Sequence, residues 1–112
     1  MDNKFKLLRG AESHMRHTND GRLRFCLNFI RSNEFEIVLY VLFEGAYIQY
    51  RGILLDRHSD FGEYILYVDY LVDWYNEPLS MEIHRELNEV SNGYECRIFA
   101  ENIIKKFSDR FG

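Results

Sequence analysis

From Leu23 to Phe29 the chain alternates Leu, Phe, Leu and Phe with Arg24, Cys26 and Asn28. A period of two is that of a strand with one buried and one solvated face. Ahead of it, Asn19-Asp20-Gly21 is a turn signal, since all three tolerate the positive φ of tight hairpins. Residues 12–18 are therefore expected to pair back across that turn. Ser32-Asn33 interrupts the pattern, and residues 35–43 form a second, more buried strand. Its centre, Ile37 to Phe43, is an uninterrupted apolar run of seven residues. Glu34, Glu36 and Glu44 bracket the run as gatekeepers against aggregation.

Glu44-Gly45 is the next turn and residues 46–55 the next strand. Residues 56–62 are polar, end in glycine and read as a loop. In residues 63–71, Tyr64, Leu66, Val68 and Tyr70 alternate with Glu63, Ile65, Tyr67 and Asp69, and the pattern extends toward Trp74. That alternation predicts a further strand. Pro78 suits a first helical turn, with Leu79, Ile83, Leu87 and Val90 following at helical spacing, so a helix is expected over 79–90. Glu77 near its start suits the helix dipole, and Asn92-Gly93 is a stop. Residues 94–99 fit a last short strand, although Phe99, Ile103, Phe107 and Phe111 also repeat as one helical face. The reading is a strand and then a helix over 100–108. Short turns between successive strands favour a meander, giving an α+β domain: one antiparallel sheet of about five strands with C-terminal helices on one face.

Composition fits that picture. The 112 residues are 46% apolar and 16% aromatic with a single proline, which describes one globular domain over residues 1–112. The apolar run is far short of the ~20 residues a membrane-spanning helix needs. The opening MDNKFKLLRG has no secretory h-region, so a cytoplasmic location is expected, with Cys26 and Cys96 as reduced, buried thiols.

Charge changes the picture more. Residues 34–95 hold thirteen Asp and Glu against Arg51, Arg57 and Arg85, together with all eight tyrosines and the only tryptophan. Both ends are basic, and the whole chain carries −4. An acidic, Tyr-rich middle is suited to a basic protein partner, because summed charge steers encounter while aromatic side chains supply contact area. The candidate contact residues are Tyr67, Asp69, Asp73, Tyr75, Glu77, Glu82 and Glu86, with Trp74 more suited to the core.

Candidate chemistry is sparse. His14 and His17 are three apart in a strand and so face opposite ways. His58 and His84 have no second histidine at ligand spacing, and no metal or cofactor is implied. Neither cysteine nor any serine sits in a nucleophile signature, and no catalytic residue is assigned. The N-terminal arginines are better explained as a solvated face, or as internal partners of the acidic middle, than as a nucleic-acid site.

The stretch YILYVDYLVDWYNEPLSMEIHREL, residues 64–87, resembles small immunity proteins of bacterial polymorphic and contact-dependent toxin systems. The markers are an aromatic strand, Trp74, Pro78 and the run Ser80, Glu82, Ile83. The resemblance implies a non-enzymatic cytoplasmic inhibitor that covers the basic cleft of a toxin domain, often a nuclease. Two alternatives stand beside it. One is a phage or mobile-element inhibitor of a host nuclease or defence system. The other is a small metal-dependent nuclease built around Asp56, Asp60 and Glu63.

Overall fold

The computed structural model describes residues 14–31, 34–55, 61–77 and 81–111. Strands β1 (His14–His17), β2 (Leu23–Arg31), β3 (Glu34–Phe43) and β4 (Ala46–Leu55) form one antiparallel sheet in the order β1-β2-β3-β4. Helices α1 (Phe61–Asn76), α2 (Met81–Asn88) and α3 (Gly93–Phe111) follow. The fold is the α+β meander that the alternating segments predict.

Odd-numbered positions of the central strands point to one side. Leu23, Phe25 and Leu27 of β2 and Phe35, Ile37, Leu39 and Val41 of β3 are all buried there. Their cover is helical: α1 lies across β1 and β2, and α3 across β3 and β4. Tyr64, Val68, Leu71, Val72 and Tyr75 come from α1, and Cys96, Phe99, Ala100, Ile103 and Phe107 from α3. Phe107 meets Phe25 at 6.5 Å and Tyr67 edge-on at 5.0 Å between ring centroids. The opposite sheet face is mixed, with Val38 and Cys26 buried at its centre among Arg24, Asn28, Glu36, Gln49 and Arg51. Glu36 accepts from Asn28 Nδ2 at 3.1 Å and from Arg51 Nη1 at 3.0 Å, tying β2, β3 and β4 together across it.

One expected strand is a helix. Residues 63–71 lie within α1, so the sheet has four strands among the described residues, not about five. The buried set 64, 68, 71, 72 and 75 has the spacing of a helical stripe. The alternation misled because this segment holds so few polar residues that both periods fit it. Leu66 and Tyr70, expected to share the buried face with Tyr64, are 68% and 59% exposed. Length decides: the segment runs sixteen residues, too long for an ordinary strand. It ends at Asn76 because Glu77 precedes Pro78, and a residue before proline disfavours helical φ/ψ.

The expected strand over 94–99 is also helical, and α3 is continuous from Gly93. Asn92 is its N-cap: its Oδ1 accepts the Glu95 N–H at 2.9 Å, and its carbonyl accepts the Cys96 N–H at 3.0 Å. The helix expected over 79–90 is described as α2, with Pro78 and Leu79 outside the described residues. Glu77, placed by sequence at that helix's start, instead closes α1, its N–H donating to the Trp74 carbonyl at 3.1 Å.

The β1–β2 turn is fixed by Asp20, whose Oδ1 accepts from the Thr18 hydroxyl at 2.8 Å and the Arg22 N–H at 3.0 Å. Its Oδ2 accepts from the Tyr75 hydroxyl at 2.7 Å, and Asn76 Oδ1 accepts the Asn19 N–H at 2.9 Å. The turn is thereby docked on the C-terminal end of α1. Partial burial raises the Asp20 pKa, but the bonds from Arg22, Tyr75 and Thr18 outweigh it and leave the carboxyl below its ordinary range. The same burial and the Asp20 charge push the Tyr75 phenol well above its usual value.

Two expectations follow. The Cβ of an alanine at position 52 would sit 2.6 Å from Ile104 Cγ2 and 3.3 Å from Ile37 Cγ2, so Gly52 is what lets α3 lie so close to β4. Gly52→Ala should cost about 1–3 kcal/mol in urea unfolding, the usual penalty of overpacking. For Asp20 the folded pKa lies below the unfolded one. Its contribution is complete above about pH 4 and disappears as pH falls through the folded value. Asp20→Ala should lose about 1–3 kcal/mol at pH 7 and show a shallower loss of stability in acid than the parent chain.

Candidate functional site

The seven contact residues expected from sequence do not form one surface. Asp69 is half-buried between α1 and β1, where Arg16 Nη1 bonds to its Oδ1 and His14 Nε2 lies 3.1 Å from the same oxygen. Arg16 Nη2 also reaches Asp73 Oδ1 at 3.5 Å. Register explains the meeting. His14 and Arg16 oppose Leu27 and Phe25, so they point to the helix-covered side, while His17 opposes Arg24 on the other side. These carboxylates therefore hold β1 to α1. The internal pairing of N-terminal arginine with the acidic middle is realised here.

Tyr75 is 2% exposed and stacked on His84 at 4.1 Å, so it is a core residue and not a contact anchor. His84 Nε2 donates to the Tyr75 carbonyl at 2.7 Å and fastens α2 to the end of α1. Tyr67 is half-buried. It stacks on Tyr70 at 5.9 Å with the Arg110 guanidinium 5.8 Å over its ring, in a groove of about 630 Å³ completed by Glu63 and Leu66. Among the described residues that line it, one carboxylate and one guanidinium give no dominant sign of charge. Glu77 borders a smaller hollow with Met81, His84 and Arg85. Asp56, Asp60 and His58 lie outside the described residues.

Glu86 is different. It stands with Glu89 and Glu95 around a groove of about 520 Å³ between α2 and α3, whose apolar lining is Val90, Tyr94, Ile98 and Phe99. The geometry follows from local sequence. Ile83 and Leu87 are buried one turn apart, which turns Glu82, Glu86 and Glu89 outward. Val90 N–H donates to the Leu87 carbonyl at 3.2 Å and ends α2, and Asn92 starts α3 at once. The tight corner brings the two acidic helix ends together.

At that corner Glu95 Oε1 accepts from the Ser91 N–H at 2.9 Å and from the Ser91 hydroxyl at 2.8 Å. The Ser91 backbone bond and then its hydroxyl hold the Glu95 carboxyl below its ordinary pKa. Neither Glu86 nor Glu89 has an ion-pair partner among the described residues. Tyr94 is 71% exposed and Ile98 39%, which leaves apolar surface uncovered inside a ring of negative charge.

Tyr94, Glu95 and Ile98 were missed by reading 94–99 as a strand. The signal was present as Asn92 followed three residues later by Glu95, the spacing of a helix N-terminus. Among the described residues no three His, Cys, Asp or Glu side chains converge as metal ligands, and no helix is long and apolar enough to cross a membrane. Cys26 and Cys96 are buried and unbridged, and burial raises the Cys26 thiol pKa. No family model, curated protein or solved structure matches the chain.

The division between structural and available carboxylates has a measurable consequence. Asp69→Lys places a cation against Arg16 and His14 and should cost about 1–3 kcal/mol in chemical unfolding. Glu86→Lys with Glu89→Lys reverses only exposed, unpaired charge and should leave stability within about 0.5 kcal/mol.

Proposed function

We propose that this protein is a non-enzymatic binding protein whose α2–α3 groove receives a basic segment of another protein. In its most concrete form it is an inhibitor that neutralises a toxin domain by covering a basic cleft. The supporting observation is the groove itself: Glu86, Glu89 and Glu95 around Tyr94 and Ile98, with no cation among the described residues that line it. Carboxylates at a rim steer a cationic partner and set orientation, while a central aromatic supplies most of the affinity.

The contact surface in this reading lies on α2 and α3, away from Asp69, Asp73 and Tyr75. Asp69 and Tyr75 are engaged within the chain and are withdrawn from it, and Asp73, exposed with one 3.5 Å contact to Arg16, lies on a different part of the surface. Glu86 stays in the site, Glu82 and Glu77 flank it, and Tyr94 takes the anchor role assigned to Tyr75. Because residues 64–76 are helical, the strand that carried the likeness to immunity proteins is lost. The inhibitor reading rests on the groove.

The test is affinity capture from the source strain, followed by binding kinetics with the purified partner. A basic protein should be recovered, with an association rate that falls as salt shortens the Debye length from ~8 Å at 0.15 M to ~3 Å at 1 M. Glu86→Lys with Glu89→Lys should slow association. Tyr94→Ala should speed dissociation by an amount equivalent to about 1–4 kcal/mol. Recovery of no basic protein, or unchanged kinetics in both variants, overturns the proposal.

A further inference from the structure

The outer margin of the sheet carries a second surface, independent of the groove. β4 is ten residues long and is the last strand in the order, so its far side pairs with no other strand among the described residues. Natural sheets blunt such edges with lysine, proline, a bulge or a very short strand. The opposite margin is β1, only four residues long. β4 has no lysine and no proline, and its register with β3 is unbroken from Leu55 to Ala46. Its single charge, Arg51, is drawn inward over the sheet to Glu36.

The turn before β4 fixes which peptide groups face outward. Glu44 and Gly45 have φ of 50° and 82°, the two positive values of a two-residue type I′ hairpin. The flanking pair Phe43 and Ala46 is then hydrogen-bonded, and bonded pairs recur at Ile48, Tyr50 and Gly52. The N–H and C=O groups of Tyr47, Gln49, Arg51 and Ile53 point away from β3. Their side chains line the sheet face away from the helices, with Tyr47 39% and Ile53 52% exposed.

We infer that β4 is a self-association edge, and that its occupant is β4 of a second copy, running antiparallel about a two-fold axis at Tyr50. The row is self-complementary in that register. Tyr47 opposes Ile53 of the second copy and Gln49 opposes Arg51, so all four outward residues are paired. An aromatic against a β-branched side chain is a favourable cross-strand neighbour, and a neutral amide against Arg51 sets no like charges opposite each other. Moving the axis to Arg51 would set that cation against its own copy, and moving it to Gln49 would leave Ile53 beyond the paired row. The result is a continuous eight-stranded sheet of closed two-fold symmetry, as isologous dimers require.

Sedimentation velocity on the full chain, over a wide concentration range, should show a monomer giving way to a species of twice the mass. Gln49→Pro removes an outward N–H that β3 does not use, and Ile53→Lys places an amine on the edge. Each should abolish the larger species while circular dichroism stays that of the parent. Register is read separately by cysteine pairing. A mixture of Gln49→Cys and Arg51→Cys chains should form an intermolecular disulfide under mild oxidation, since hydrogen-bonded partners lie about 5.5 Å apart between Cα atoms. Either variant alone should not. A chain monomeric at every concentration, a dimer that survives both edge substitutions, or cross-linking of Gln49→Cys with itself overturns the inference.

Discussion

One face of the sheet is made of Leu23, Phe25, Leu27, Phe35, Ile37, Leu39 and Val41, and water must be kept from all of them at once. Two helices lying side by side across the strands do this, and the remaining architecture serves their placement. α1 is held at β1 by Arg16 and Asp69 and at the first turn by Tyr75 and Asp20. α3 settles onto β4 because Gly52 has no side chain to hold Ile104 away. α2 is the short link that spans from one to the other. It is secured by His84 to α1, and by Arg22 to Asn88 and to the Leu87 carbonyl.

This arrangement sorts the charge. Four of the thirteen carboxylates between residues 34 and 95 are answered within the fold: Glu34 by Arg31, Glu36 by Arg51, and Asp69 and Asp73 by Arg16. Among the described residues, the carboxylates left without a cation include Glu86 and Glu89 at the α2–α3 corner, where Glu95 joins them. Net charge along a sequence thus overstates the surface open to a partner. What counts is charge remaining after the chain has paired with itself, and that is a property of the sheet register and helix positions.

The strands β2, β3 and β4 and the two turns between β1 and β2 and between β3 and β4 were legible because half-solvated antiparallel strands write their period directly into sequence. α1 was not. Its outward positions include Leu66 and Tyr70, and a helix with apolar residues on its exposed side loses the contrast that reveals a 3.6 period. The start of α3 was legible through Asn92 and Glu95 but was outweighed by the aromatic and β-branched character of Tyr94, Ile98 and Phe99. The site shared that fate. Glu86 lies on a correctly read helix and is exposed as expected, whereas Asp69 and Tyr75 were assigned outward by a strand parity that does not exist in α1; Asp73, assigned by the same parity, is exposed. That Asp69 would meet Arg16, fifty-three positions away, depends on which strand of the meander lies under α1. Local pattern carries no information on that.

The Ser91–Glu95 contact has a bearing on recognition as well as on helix termination. Both Ser91 bonds fall on Oε1, so the carboxylate is immobilised while Oε2 remains available for a further donor. A glutamate on a helix surface ordinarily exchanges among rotamers, and a ligand that engages it must arrest that motion. Here the arrest happens when the chain folds. Under the proposed binding role, a cationic group entering the groove would meet one acceptor already aimed, and part of the geometric selectivity would reside in the unliganded protein.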